Sequence, residues 1–381
     1  MDVSLSPEAK ALLEAAAGFE DRLISEARDR EAAGRIGADV TREMGQSGLI
    51  APELPDHLGG QGLGKVTAGL VTEAIARGDL PVAYIQVVGS LIGQVIARNA
   101  DAEVAAHYCR QITSGDATVA IGLSEPDAGS DAGNPSTTAR RDGDDWIVNG
   151  TKSMSLAMTS TATVIFARTD PDAKRGKGIS AFLVDLDAPG VTRTPIVDMG
   201  QAAVARGSVD FVDVRVPADH LLGEVGGAFT QVMQGFDFSR ALIGLQCVGT
   251  ASRAIDDAWA YVKNRQAFNQ PLSKFQGVSF PLAEAETKIA AARLLCLDTL
   301  RLGDEGLPHT SQAAMCKWWA PLEAYHAIHQ CLLLHGQNGY KQDRDVEKRL
   351  RDVLGMQIGD GTAQIMKLII ARESAGREFA P

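Results

Sequence analysis

The 381-residue chain predicts an α+β protein of three consecutive domains, helical, then strand-built, then helical again. Two observations carry this. The spacing of apolar residues changes from three or four positions to two and back again along the chain, and glycine-containing turn dipeptides punctuate the middle third. Length agrees, since a chain of this size exceeds one comfortable core and a prior of about one domain per 150 residues gives two or three.

From about Ser6 to Gly115 the chain is alanine-rich, and Val82, Ile85, Val88, Leu91 and Val95 recur at helical spacing. Residues 1–118 are therefore read as a helical domain. From Ala120 to Gly226 the period is two: Ile179, Ala181 and Leu183 alternate with Phe182, Val184 and Leu186 on the opposite face, and Val212, Val214 and Val216 follow. Asp142-Gly143 and Asn149-Gly150 are expected to bracket Trp146-Ile147-Val148 as turns at the two ends of a hairpin strand. Pro217, with no N–H to donate, should end the last strand. Residues 119–226 form the predicted strand domain. Beyond Gly227 the helical period returns, clearest at Leu282, Ala285, Ile289, Ala292 and Cys296; a four-helix bundle over 227–381 is the natural solution. Without repeats or low-complexity linkers, the domains are expected to pack together.

Composition narrows the function. Lys+Arg of 37 against Asp+Glu of 48 gives a net charge of −11, and no dense basic run is present, so nucleic acid and anionic membrane surfaces are disfavoured as partners. Cys109, Cys247, Cys296, Cys316 and Cys331 are scattered without paired or zinc-like spacing, which predicts reduced, buried thiols. His326 and His329 stand at i, i+3 without an acidic third ligand and are read as structural, so no metal is expected. The first twenty residues show neither a signal-type apolar run nor an arginine-rich, acid-poor pattern, and a cytoplasmic location is the expectation.

Five ordered motifs carry a family resemblance. Ser124-Glu125-Pro126-Asp127-Ala128-Gly129-Ser130-Asp131 is followed by Asn149-Gly150-Thr151-Lys152, then Arg265-Gln266-Ala267-Phe268 with Gln276. Asn338-Gly339-Tyr340 then precedes Arg351-Asp352, and Gly359-Asp360-Gly361-Thr362-Ala363-Gln364 comes last. In order and spacing these resemble the signatures of flavin-dependent acyl-CoA dehydrogenases over nearly the whole chain. The resemblance implies an N-terminal helical domain, a middle β-barrel-like domain and a C-terminal four-helix bundle. It also implies FAD as cofactor, an acyl-CoA substrate, an electron-transfer flavoprotein as acceptor, and assembly as a homotetramer or homodimer.

Such a reaction needs a base for the acidified α-proton and a hydride acceptor on the opposite face; no side chain accepts hydride, so a flavin must. The resemblance makes Asp360 the catalytic base, standing where relatives carry Glu. Some relatives hold the base immediately before the position of Arg240, but here that residue is Ser239, which leaves Asp360. Gly361, Phe236, Asp237 and Arg240 are implied on the substrate side, although Asp237 also reads as a capping or Arg-pairing residue. Ser130 is implied beside the CoA portion and the cofactor. Leu123, Ser124, Thr362 and Gln364 match flavin-contacting positions, as do Met154, Ser155 and Leu156, where the family usually has Trp, Ile and Thr or Ser. Backbone amides are expected to replace the missing hydroxyl at Leu156. Arg265, Phe268, Gln276, Leu333 and Gly336 match the positions that reach a neighbouring subunit's FAD; Leu333 replaces a common Gln, and Asn269 a Gly.

Asp is one methylene shorter than Glu, which withdraws its oxygens by about 1.5 Å. A displacement of that order can cost about 100-fold in rate unless substrate or loop comes closer. Relatives acting on alicyclic thioesters, cyclohexanecarboxyl-CoA and cyclohexenecarboxyl-CoA dehydrogenases, carry the same change. Gly359, where relatives usually have an aromatic residue, opens room beside the base, so a ring-bearing acyl-CoA is the expected substrate. Two alternatives remain open: an Asp-base oxidase like the nitroalkane oxidases, and a catalytically silent acyl-CoA-binding or scaffold protein.

Overall fold

A computed structural model describes residues 5–173, 176–229, 235–376 and 378–379. The helical start is set by Ser6, which is extended in backbone and whose Oγ accepts the Ala9 N–H at 3.2 Å, followed by Pro at the first helical position. Seven helices follow in the N-terminal part: α1 (Pro7–Gly18), α2 (Glu20–Ser25), α3 (Ala27–Ala33), α4 (Ala38–Gln46), α5 (Lys65–Gly78), α6 (Leu80–Asn99) and α7 (Ala102–Ser114). Val82, Ile85, Val88, Leu91 and Val95 are all buried on α6, as their spacing predicts. By length and composition α6 is apolar enough to cross a membrane, but protein covers nearly all of it, so it reads as a core helix.

The middle domain is one sheet: β1 (Val119–Gly122), β2 (Thr138–Asp142), β3 (Asp145–Met154), β4 (Ala162–Arg168), β5 (Ile179–Asp185), β6 (Val191–Pro195), β7 (Gly207–Val216) and β8 (Leu221–Leu222). Its order is β6-β7-β3-β2-β4-β5-β8, with β1 parallel to β4. The Asp142-Gly143 turn does close the β2–β3 hairpin, and Pro217 ends β7, although the short β8 follows.

Two sequence expectations give way here. Asn149-Gly150 is no turn: β3 runs straight through it, and the pairing with β7 slips between Val148 and Gly150. The slip is a β-bulge on β7, where Asp213 adopts φ 51° and exchanges hydrogen bonds with the Asn149 side chain at 2.9 and 3.0 Å. The same bulge reverses the faces, so Val212 is 63% exposed while Val214 and Val216 are buried, and the three do not share a side.

Among the described residues the C-terminal part carries α8 (Phe236–Asn264), α9 (Gln276–Asp304), α10 (Thr310–His335), α11 (Asp345–Gly355) and α12 (Ala363–Ala375). A two-stranded ribbon, β9 (Gln266–Ala267) and β10 (Gln270–Pro271), separates α8 from α9. The stripe Leu282, Ala285, Ile289, Ala292 and Cys296 faces the bundle core, and all five cysteines are buried and free. That core is continuous with α5 and α6 through Val66, Ala68, Leu80 and Val87, so the domains are packed together.

A buried polar joint reinforces the packing. Lys348 of α11 donates to Asp79 at 2.8 Å and Asp352 at 2.7 Å; Arg30 donates to the other Asp79 oxygen at 2.9 Å. Asp352 then accepts the Gln201 amide of the middle domain at 2.5 Å. Three parts of the chain meet at four charged side chains that are at most 6% exposed.

Candidate active site

The turn between α11 and α12 carries Asp360. Helix α11 unwinds as the Ile358 and Gly359 amides both return to the Gly355 carbonyl at 3.0 Å. Asp360 (φ 55°) and Gly361 (φ 98°) then take two left-handed steps that redirect the chain. Thr362 restarts the helix, its hydroxyl accepting the Ile365 N–H at 3.4 Å. A left-handed residue other than glycine costs about 1–2 kcal/mol and persists only where its surroundings impose it. At Gly361 a Cβ would lie 2.6 Å from the Met366 terminal methyl, whereas at Gly359 it would meet only the Gly355 carbonyl at 3.8 Å. Space beside the base is therefore open. Among the described residues the Asp360 and Gly361 amides donate to no group of the chain.

Three elements converge on the half-buried Asp360. Arg240 comes from the first turns of α8, Lys317 from α10 and Tyr84 from α6; all are buried. Burial pushes the Asp360 carboxyl above its ordinary value, with Lys317 and then Arg240 pulling back. Burial likewise raises the Tyr84 hydroxyl, the Asp360 charge adding to the effect and Ser155 opposing it. Tyr84 thus links Ser155 of the middle domain to the carboxylate turn.

Asp237 pairs with Arg240, as its alternative reading expects, but does not cap α8, whose N-cap is Gly235 with no side-chain cap bond. It accepts from Arg240 Nη1 at 2.7 Å and from the Thr310 hydroxyl at 2.5 Å, while Arg240 Nε has no partner among the described residues. Phe236 is buried beside it at the start of α8. The preceding Ser239 is buried and donates to the Phe236 carbonyl at 3.1 Å.

The first two motifs are fastened together by a pair that motif reading left unassigned. Lys152 donates to Glu125 at 2.8 Å and to the Leu123 carbonyl at 3.4 Å, with both charged side chains at most 2% exposed. Glu125 also accepts the Ser136 and Thr137 amides at 2.7 and 3.0 Å. Burial would raise its pKa, but these hydrogen bonds, led by Lys152, hold it down at about 2. The clamp leaves Ser124 exposed, its carbonyl accepting the Ser153 amide at 2.9 Å, next to the end of β3 with Met154 and Ser155. Leu156 departs from expectation. Its amide is spent on the Val204 carbonyl at 2.9 Å, and its side chain turns inward against Ile85 and Val88. Ser130 is exposed on the loop after Glu125, and Gln364 is exposed in the first turn of α12.

The remaining candidates lie at the opposite pole. Arg265 follows the last residue of α8 whereas Arg240 is in its second turn, a separation of about 37 Å along the axis. Phe268 forms the tip of the β9–β10 ribbon at φ 50°, 89% exposed; Gln276 opens α9, exposed. Leu333 and Gly336, at the end of α10, are exposed at the same pole, where His335 stacks on Tyr261 at 4.5 Å. Among the described residues Arg265 has no carboxylate within 4.0 Å. An unpaired guanidinium and bare ring at one pole, with an exposed hydroxyl and free amides at the other, suit the pyrophosphate and flavin portions of FAD.

Known families agree with this geometry. Residues 6–116, 120–214 and 226–375 match the N-terminal, middle and C-terminal domain models of acyl-CoA dehydrogenases. The chain belongs to the acyl-CoA dehydrogenase family, FAD-dependent oxidoreductases. It is 38% identical to the mitochondrial short-chain specific acyl-CoA dehydrogenase of Bos taurus over 340 residues, covering 88% of this chain and 82% of that one. The butyryl-CoA dehydrogenase structure from Megasphaera elsdenii superposes with a TM-score of 0.94 at 29% identity, covering 98% and 100% of the two chains. A chain solved in work on the electron transferring flavoprotein of Acidaminococcus fermentans superposes equally well, at 30% identity over 98% and 99%.

Proposed function

We propose that this acyl-CoA dehydrogenase removes hydrogen from Cα and Cβ of a ring-bearing acyl-CoA thioester, with Asp360 taking the α-proton. The observation carrying the base assignment is the left-handed, half-buried Asp360 on a turn that faces the buried Lys317 and Arg240. When bound, FAD supplies the hydride acceptor. The chain's own contribution is to position and to move a proton. Asp360, its pKa raised by burial, is a better match for an acidified α-proton than an ordinary carboxylate. The free amides of Asp360 and Gly361 are available to receive the thioester oxygen as negative charge develops there.

The ring assignment rests on arm length and space. A carboxyl withdrawn by about 1.5 Å needs a substrate that comes closer, and the open volume at Gly359 admits width at Cα. The bovine relative is named for short-chain acyl-CoA and the Megasphaera elsdenii structure for butyryl-CoA, which makes those thioesters the comparison that counts. Arg265 and Phe268 serve the FAD of a second copy, because about 37 Å of helix separates them from the substrate end of their own chain. An electron-transfer flavoprotein takes the electrons.

Anaerobic mixing of the FAD-loaded protein with straight, branched and alicyclic acyl-CoAs, followed by flavin absorbance, tests the proposal. Selective bleaching by cyclohexanecarboxyl- or cyclohexenecarboxyl-CoA supports the ring; preferential bleaching by butyryl-CoA removes it. Reoxidation by oxygen in place of the flavoprotein acceptor would favour an oxidase, and no bleaching by any thioester a silent binding protein. Asp360→Asn should keep flavin and lose about 10²–10⁴-fold in bleaching rate; an active Asn variant rejects the base.

A further inference from the structure

Lys317 is a buried lysine without a carboxylate partner. It is 1% exposed on α10, and among the described residues no acidic oxygen lies within 4.0 Å of its Nζ. Its hydrogen bonds go instead to two backbone carbonyls, Met356 at 2.8 Å and Gly361 at 3.1 Å. These are the two ends of the Asp360 turn. A buried ammonium is costly unless paired, so two neutral acceptors and a carboxylate beyond contact distance are an unusual arrangement for a purely structural lysine.

We infer that Lys317 is a positioning residue for the base: it ties both ends of the turn to α10 and sets the charge against which Asp360 ionises. This rests on the assignment of Asp360 above. The tie has a local reason. Met356 follows the last turn of α11, where carbonyls lose their helical donors, and Gly361 follows a left-handed step, so neither carbonyl is satisfied by regular structure. One ammonium closes both and fixes the short Asp360 arm between them.

The charged and titratable groups around Asp360 come from three helices: Lys317 of α10, Arg240 of α8 and Tyr84 of α6. Arg240 is already engaged with Asp237, whereas among the described residues the Lys317 charge has no carboxylate in contact. Around Lys317 itself stand Asp360, Cys247 and Arg240, with burial pushing its pKa down. Removing the lysine charge takes away the stronger of the two cationic influences on Asp360. The carboxyl would then hold its proton to higher pH, and the acid limb of any reaction needing the ionised base would move up.

The test uses the full FAD-loaded chain with Lys317→Met and Lys317→Gln. Flavin content and circular dichroism report folding, hydrogen exchange of the 356–362 segment reports the tie, and the pH profile of anaerobic bleaching reports the charge. In Lys317→Met, exchange should quicken, bleaching should slow by about 10–100-fold, and the acid limb should shift upward. Lys317→Gln retains a donor, so exchange should stay slow while the limb still shifts, which keeps the idea testable if Lys317→Met does not fold. An acid limb unmoved in the folded variants, or bleaching at the wild-type rate in a folded Lys317→Met, overturns the inference. Activity in Asp360→Asn would instead sink the base assignment, whatever Lys317 does.

Discussion

Replacing Lys348 with Met should unfasten the joint between the three domains. In the native chain the ammonium lies 2.8 Å from Asp79 and 2.7 Å from Asp352, and both carboxylates are at most 2% exposed. After substitution Asp79 keeps Arg30, but the Asp352 carboxylate retains only the Gln201 backbone amide, the Gln201 side chain being bound to the Asp352 main-chain carbonyl. Stranding a buried charge in this way costs about 3–5 kcal/mol. With an unfolding entropy of about 2.1 cal/mol/K per residue over 381 residues, the apparent Tm should fall by about 4–6 °C.

The pH dependence supplies a second check. Burial, with Asp79, raises the folded pKa of Asp352 above its ordinary value, and Lys348 holds it back. A raised folded pKa means that protonation favours the folded state, so this contribution is present below the unfolded pKa and is lost as pH rises through the folded one. Without Lys348 the folded pKa climbs further, and the variant's deficit should be larger at pH 7.5 than at pH 5. Scanning calorimetry at both values measures it, and Lys348→Met/Asp352→Asn should recover part of the loss. A deficit below about 1 kcal/mol, or one that grows on acidification, would refute the claim that a stranded Asp352 charge causes it.

Lys152→Met should likewise strand Glu125 and cost about 3–5 kcal/mol near neutrality. Because the folded pKa of Glu125 is held at about 2, its contribution is present above the ordinary 4.5 and lost as pH falls toward 2, so the variant's thermal deficit should shrink in acid. Gly361→Ala must place a side chain at φ 98° and 2.6 Å from a flexible Met366 methyl, so it should cost only about 1 kcal/mol in Tm terms. Bleaching by acyl-CoA should nevertheless slow by about 10-fold or more, as the displaced turn carries Asp360 with it.

The helices and their buried faces were readable because helical spacing is a local property: each stripe on α6 and α9 lies within one uninterrupted element. The errors in the strand domain share one cause. Period-two reading assumes an unbroken ladder, and a single extra residue at Val212-Asp213 inverts every face beyond it. The Asn149-Gly150 dipeptide looked like a turn for the same reason, since an asparagine that bonds across a bulge carries the composition of one that starts a hairpin.

The candidate site divides along the same line between local and non-local information. Asp360, Ser124 and Arg265 are candidates because each lies in a short run with its own spacing, whereas nothing local reveals that the Leu156 amide is used by Val204. Lys317 did leave one trace: it follows Cys316 beside the buried stripe Ala313, Cys316, Ala320 and Ala324, a charge at the edge of an apolar helix face. What that charge holds, the ends of a turn some forty positions later, is fixed only by packing.

Backbone strain ties these observations together. Of the eight non-glycine residues with positive φ among those described, Leu156, Phe268 and Asp360 are candidate site positions on three different segments. Each is costly by about 1–2 kcal/mol when considered alone, so each needs neighbours that leave it no alternative. Leu156 has the Val204 carbonyl and a buried side chain, and Asp360 has a turn closed from α10 at both ends. Phe268 has the two-residue ribbon beneath it and an edge contact with Phe275 at 6.1 Å, which leaves its ring 89% exposed. A strained turn presenting a bare aromatic ring is over-determined only when something covers the ring, and a second copy's cofactor is the occupant that the proposed function assigns to it.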